Sequence, residues 1–302
     1  MSIEIFTDSS ANLPKGILEV LNIHVISMTL TVNGEERLCY DPEQPFEGER
    51  FYARMREDRG MELKTSMINT ATFLEVFEPQ LQAGNDVLYL GMSSGISGTV
   101  AAGAAAAKTL QGKYPARTIL AVDTLAASLG EGLMVCEAAR LRNGGSSMRQ
   151  IVAHVEQNRQ YIRQHFLVDD LMFLKRGGRI SGTAALAGTV LNIKPILKGN
   201  AAGRIVPDCR VRGRQRALRK LAETFDAYAF VPHPQTIGIA HGGCEADAIA
   251  LSEMIREKRG NDDFMIVCYE PGTGSHVGPG TVALFFRGDG EVKQKRGGAV
   301  TN

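Results

Sequence analysis

The strongest constraint on the fold is an alternation: short apolar runs rich in β-branched residues are separated by segments of helical length. Strands separated by helices need crossover connections, which implies a parallel sheet covered by helices in a three-layer sandwich. In the first half the pattern predicts strands over 3–7, 24–32, 86–92 and 117–123, the second turning at Asn33-Gly34 as a hairpin. Helices are predicted over 14–21, 46–57, 71–82, 99–110 and 125–142. Asn69 or Thr70 caps the third, and Asn143-Gly144-Gly145 stops the last.

The second half alternates less cleanly. A helix from the capping pair Ser146-Ser147 to about Arg163 leads to a strand over 165–174, a small-residue helix over 183–191 and a strand or hairpin arm over 204–211. Helix 214–229, strand 236–240, helix 245–258 and strands 263–269 and 281–287 follow, so a mixed sheet is expected. The boundary falls near residue 145, with an N-terminal α/β/α domain over 1–145 and a C-terminal mixed-sheet α/β domain over 146–302. Ligands of open α/β domains bind at the carboxyl ends of strands, which points to the loops after Thr7, Met92 and Asp123.

Composition excludes several classes. Hydrophobic residues make up 44% and charged residues 22%, values of a globular chain rather than a disordered or fibrous one. Lys and Arg number 34 against 33 Asp and Glu, so any affinity for nucleic acid or anionic lipid must come from a local patch. The five cysteines (Cys39, Cys136, Cys209, Cys244, Cys268) are scattered with no C-x-x-C pair. Neither a disulfide framework nor a metal site is expected, and the thiols read as small buried groups in a reducing cytosol. The N-terminus lacks the regions of a secretory signal, and no stretch approaches the ~18 apolar residues of a membrane helix, so a soluble cytoplasmic protein is expected. G-x-x-x-x-G-K-[ST], a strand-borne G-x-G-x-x-G and H-E-x-x-H are all missing, which counts against a P-loop, a Rossmann dinucleotide and a zinc peptidase.

Gly91-Met92-Ser93-Ser94-Gly95 fits the G-x-S-x-G nucleophile elbow between a strand and a helix. A serine acyl hydrolase would use Ser93 as nucleophile, Asp123 or Asp170 as orienter and His241 or His276 as base. Against it, Gly95 and Gly98 lengthen the loop before the helix, and His241-Gly242-Gly243 follows the serine, whereas an oxyanion loop precedes it. The competing reading is a hydroxyl-rich nest. Ser93, Ser94, Ser97 and Thr99 share one strand-to-helix connection at the positive end of a helix, suited to an anionic oxygen group. Lys64-Thr65-Ser66 reads as a polar loop, and His276 stands among glycines in a loop of its own. Two basic runs, Lys175 to Arg179 and Arg204 to Lys220, favour phosphate or an acidic partner; RNA would call for interleaved aromatics, and these are absent.

Six segments then form an ordered set: Thr7-Asp8-Ser9-Ser10, Lys64-Thr65-Ser66, Ser93 to Thr99 (SSGISGT), Asp123 to Gly132, Leu174 to Ser181 (LKRGGRIS) and His276 to Gly280 (HVGPG). Together they resemble the DegV family of fatty-acid-binding proteins, which includes the binding subunits of bacterial fatty acid kinases. The resemblance implies a two-domain fold that buries an acyl chain in the C-terminal domain, with the carboxylate held by Thr65, Ser97 and His276. Ser93, Ser94 and Gly98 would form the supporting loop. It further implies a non-catalytic protein without a cofactor, whose bound acid a separate dihydroxyacetone-kinase-like fatty acid kinase subunit phosphorylates. Arg179 and Arg212 would dock that partner or offset developing phosphate charge. One departure stands out: Met67-Ile68-Asn69 replaces the family's Gln-Pro-Ser beside Thr65.

Overall fold

In the computed structural model, strands β1 (Ile3–Asp8), β2 (Ile23–Ile26), β6 (Asp86–Gly91) and β7 (Ile119–Asp123) build a four-stranded parallel sheet in the order β2-β1-β6-β7. The described residues are 2–58, 60–180, 192–230, 234–260 and 262–289. Ile5 pairs with Ile23 on one side and Leu88 on the other, and Leu88 with Leu120. From Ile5 to Asp8 every residue of β1 is buried, as expected of a parallel strand covered on both faces. Helices α1 (Lys15–Val20), α3 (Thr70–Gln82), α4 (Thr99–Lys113) and α5 (Leu129–Asn143) connect these strands or follow them, while α2 (Gly48–Glu57) lies in the long excursion between β2 and β6. Asn69 caps α3 by accepting from Thr72 N at 3.0 Å.

The strand expected over 24–32 is two strands. Ser27 and Met28 interrupt it because their backbone neighbourhood is bonded to side chains: Met28 N donates to Ser9 Oγ at 3.1 Å, and Tyr40 N to Ser27 Oγ at 2.8 Å. Beyond the break, β3 (Thr29–Val32) leaves the parallel sheet and lies between β4 (Glu35–Leu38) and β5 (Leu63–Ser66) in an antiparallel sheet of its own. The Asn33-Gly34 hairpin is present, both residues having positive φ (51° and 89°). Lys64-Thr65-Ser66 is strand rather than loop, with Thr65 opposite Leu30.

In the second half, β8 (Ile162–Leu167), β9 (Ile193–Gly199), β10 (Ile205–Arg212), β11 (Thr236–His241), β12 (Asp263–Cys268) and β13 (Val282–Arg287) form a six-stranded sheet ordered β10-β9-β8-β13-β11-β12. Every neighbouring pair is antiparallel except β11–β12. Helix α6 (Met148–Asn158) starts at a Ser147/Gln150 capping box and ends short of Arg163, releasing Ile162 to pair with Arg287. The strand expected over 165–174 stops at Leu167 and gives way to α7 (Met172–Arg176). β9 went unpredicted because Lys194, Pro195 and Lys198 break its apolar pattern. Helices α8 (Arg214–Tyr228), α9 (Glu245–Arg259) and α10 (Pro271–Val277) complete the half. The helix expected over 183–191 lies outside the described residues.

Helix α5 joins the two sheets: it packs on β1 and β6 on one side and on β8, β11 and β13 on the other. Leu129, Met134, Val135, Cys136, Ala138 and Ala139 are all buried, the signature of a helix enclosed nearly all round. One apolar core therefore runs from Ile5 through α5 to Phe285. A second core, around Leu218, Leu251 and Phe286, fills the far face of the six-stranded sheet beneath α8 and α9.

Candidate functional site

In the parallel sheet the winding reverses between β1 and β6, and the crevice outside their carboxyl ends is the switch point where an open α/β sheet takes a ligand. Asp8 organises it. Its fully buried carboxylate accepts from Ser10 N at 3.0 Å, Tyr89 Oη at 2.7 Å and Met92 N at 3.0 Å, tying the loop after β1 to the loop after β6. Glu131 on α5 accepts from Thr7 Oγ1 at 2.8 Å and from Ser10 Oγ. Burial and the neighbouring Asp8 push its pKa well above the usual carboxylate range. These acids are scaffold, committed to internal hydrogen bonds.

The loop from Met92 to Gly98 divides its hydroxyls between structure and cavity. Ser93 is fully buried; its Oγ donates to Gly203 O at 2.8 Å and accepts from Gly95 N at 3.0 Å. Gly203, at φ 67°, is where the second half closes over the first, and a Cβ there would press on the Ser93 side chain. Among the described residues Ser93 thus has neither a histidine nor a carboxylate partner: His276 bonds Thr65, and His241 Nδ1 accepts from Cys244 N at 3.3 Å. The elbow reading, with Ser93 as a hydrolase nucleophile, is not supported by this geometry. Exposed Ser94 donates its N–H toward Asp123 at 3.3 Å, so Asp123 orients the loop rather than a base, while Asp170 accepts from Met172 N at 2.8 Å at the start of α7. Ser97 Oγ lies 2.8 Å from Thr99 Oγ1 and accepts from Thr99 N at 3.2 Å, at the start of α4.

His276 is not on a loop. It sits in the last turn of α10, a helix whose glycines and Pro271 masked it from periodicity. Its Nε2 is 2.8 Å from Thr65 Oγ1 of β5, which joins residues 211 apart in the chain. The ring rests on Gly177 at the end of α7, where a Cβ would collide with Nδ1 and stand 2.9 Å from Cε1. Burial, then the nearby Arg179 guanidinium, lower the His276 pKa to about 4, so the imidazole is neutral near pH 7. Glu270 holds the other end of α10: its buried carboxylate accepts from Gly272 N at 2.6 Å and from Thr273 N. Burial, with Asp8 adding to it, raises its pKa to about 7 against those hydrogen bonds.

Thr65, Ser97 and His276 converge on one cavity of about 90 Å³, room for several water-sized groups. Its walls are largely apolar, including Met28, Met92, Ile96, Phe166, Leu174 and Phe285, and Arg179 is the one charged side chain among its described lining residues. Met67, at the departure from the family pattern, also lines it and remains half exposed. A second, more open depression of about 330 Å³, lined by Lys64, Phe173 and Arg176, meets the first at His276.

The structure therefore brings together Thr65, Ser97, His276 and Arg179. Ser93, Ser94 and Gly98 are not among the cavity's described lining residues, although a Cβ on Gly98 would meet Met67, and Arg212 is exposed on the edge strand β10. Two contributors escaped the sequence reading. Gln164 of β8 binds the loop after β7 through Ala127 N at 3.1 Å and Leu125 O at 3.2 Å and faces the cavity; Glu270 caps α10. The Gln164 signal was the alternation along β8, which sends Gln164 and Phe166 to the cavity face; Glu270 before a proline is a readable helix start.

A parallel sheet and a mixed sheet closing around a hydroxyl-and-imidazole cluster over an apolar cavity define the type of protein. Residues 2–289 match the family described as "Uncharacterised protein, DegV family", and the chain belongs to the DegV family. A DegV domain-containing protein of Clostridium perfringens is 40% identical over 94% of this chain and 97% of its own length. Among solved structures, a DegV family protein of Thermus thermophilus described by its fatty acid binding superposes with a TM-score of 0.83 at 31% identity, covering 94% of this chain and 99% of that one. DegV of Bacillus subtilis, described as a fatty acid binding protein, gives 0.81 at 29% identity over 94% and 98%. Among the described residues no helix is long and apolar enough to cross a membrane.

Proposed function

We propose that this protein binds one long-chain fatty acid, its carboxylate held by Thr65, Ser97 and His276, and presents it to a separate kinase subunit of the dihydroxyacetone-kinase-like type in the cytoplasm. The observation that carries the reading is the Thr65–His276 pair, a neutral donor set at the mouth of an apolar cavity. Two hydroxyls and an imidazole hold a carboxylate without a fixed ion pair, leaving its oxygens nucleophilic. Arg179 adds a single cation to offset charge on the head group, and the open depression beyond His276 offers a way in for the phosphoryl donor. Affinity comes from the tail: at ~0.8 kcal/mol per CH₂, a chain of about 14–18 carbons contributes on the order of 10 kcal/mol before ordering costs. The two domains of this reading are residues 1–145, with the parallel sheet and the three-stranded antiparallel sheet, and 146–302, with the six-stranded sheet, and no cofactor or catalytic group of the protein's own is called for.

The test is native mass spectrometry of the purified protein. A mass increment of a single long-chain acid, lost on denaturation and on His276→Ala, is the expected result. A protein that stays ligand-free after incubation with hexadecanoic acid would refute the reading.

A further inference from the structure

One side chain of the cavity wall starts a hydrogen-bonded route that ends at the clamp. Gln164 of β8 pairs with Phe285 of β13, and both line the cavity. Its amide is directed at the loop after β7: Oε1 accepts from Ala127 N at 3.1 Å and Nε2 donates to Leu125 O at 3.2 Å. Between those two residues, Ala126 O accepts from Ser93 N at 2.7 Å, and Ser93 O accepts in turn from Ser97 N at 3.1 Å. The same loop reaches the other clamp element. Ser128 hydrogen-bonds the side chain of Tyr269, the neighbour of Glu270, which caps the helix that carries His276.

This loop needs holding. Leu125 and Ser128 both lie at φ 52°, a left-handed conformation that a residue with a side chain adopts at a cost and keeps only where its surroundings impose it. The fold makes room for the amide that helps to do so. A Cβ on Gly130 of α5 would stand 3.0 Å from Gln164 Oε1, and one on Gly199 of β9 would stand 2.9 Å from Nε2. Neither glycine has a positive φ, so what each provides is space for the amide rather than a special backbone conformation.

Resting on the carboxylate clamp proposed above, we infer that Gln164 is a positioning residue: from the wall of the acyl cavity it fixes the loop that sets Ser97 and α10, and so determines the preference for a carboxylate over an uncharged head group. Its amide is committed to the loop, so it acts through Ser97 rather than on the carboxylate. The route is contiguous, from Gln164 through Leu125 and Ala127 to Ala126, Ser93 and Ser97. Without the amide, Ala127 N and Leu125 O lose this partner and the loop relaxes, which misplaces a hydroxyl whose hydrogen bond to a charged group depends on its geometry.

The experiment measures dissociation constants of tetradecanoate and tetradecan-1-ol by titration calorimetry on delipidated protein, for wild type, Gln164→Met and Gly199→Ala. Methionine keeps the length of the side chain and removes both hydrogen bonds; the alanine leaves Gln164 in place but pushes its Nε2 away from Leu125 O. Wild type is expected to favour the acid by about 100-fold, and each variant should lower that preference about tenfold, with affinity for the alcohol within about twofold of wild type. Thermal melting shows which variants are folded, and either one alone suffices to read the ratio. A loss shared equally by acid and alcohol makes Gln164 a wall of the cavity only and overturns the inference, as does an unchanged ratio; both leave the fatty-acid reading intact. A wild type that binds neither compound, or does not distinguish them, overturns the clamp reading together with this one.

Discussion

Gly177→Ala isolates the contact on which the proposed clamp depends. Gly177 has φ −71° and ψ −10°, ordinary right-handed backbone, so an alanine brings no backbone strain. Its Cβ would collide with His276 Nδ1 and stand 2.9 Å from Cε1, where 3.4 Å begins ordinary contact. The ring must retreat by about 1 Å or more, because Nδ1 is closer still than Cε1, and this breaks the 2.8 Å bond to Thr65. A lost or misplaced hydrogen bond to a carboxylate is worth about 1.5–3 kcal/mol, so hexadecanoate affinity should fall about 10- to 100-fold. Stability should fall by up to about 2–3 kcal/mol, because overpacking of about 1–3 kcal/mol is only partly offset by about 0.4–1 kcal/mol from the stiffer unfolded chain. Gly178→Ala is the control: at φ 73°, with nothing within 4 Å of its Cβ, it strains the backbone but touches no ligand-facing group. It should cost about 1–2 kcal/mol in stability with affinity unchanged. Calorimetric titration and thermal melting of both variants measure the contrast. If Gly177→Ala binds hexadecanoate within twofold of wild type, His276 does not position the carboxylate.

Ser93→Ala should retain the ligand and confer no change in ester hydrolysis. It should lower stability by about 1–3 kcal/mol because Gly203 O loses its buried donor, as read by chemical denaturation. The pH dependence of stability should show two opposing contributions. His276, lowered to about 4, takes up its proton more readily unfolded than folded, so its share of stability is present above about pH 6.5 and lost as pH falls toward 4. Glu270, raised to about 7, keeps its proton longer folded than unfolded, so stability falls as pH rises from about 4.5 through 7. Denaturation between pH 4.5 and 6.5 should give a shallow wild-type profile, a profile rising with pH for Glu270→Gln and a falling one for His276→Gln; the same slope in both variants would contradict the assignment. The two arginines should separate: Arg179→Ala lowers hexadecanoate affinity about tenfold, whereas Arg212→Ala leaves it within twofold and slows only partner-dependent phosphorylation.

Much of this protein was legible along the chain. The apolar runs of β1, β6 and β7 and the helices between them specify a parallel sheet, because a strand buried on both faces and a crossover helix each leave a local pattern. The hydroxyl-rich loop before α4 and the glycine-flanked His276 mark candidate ligand contacts along the chain. Local pattern failed where pairing is remote. Thr65 lies on a strand only because β3 leaves the parallel sheet to meet it, and β9, interrupted by two lysines and a proline, is a strand because β8 and β10 flank it. The order of residues sets which groups suited to anion recognition are present and which segments carry them. Folding in three dimensions ties Ser93 to Gly203, brings Arg179 and not Arg212 to the cavity, and sets Thr65 against His276. The physical reason is that a side chain's chemistry is set by what burial and packing leave for it to bond, and those partners come from elements that are distant in the chain.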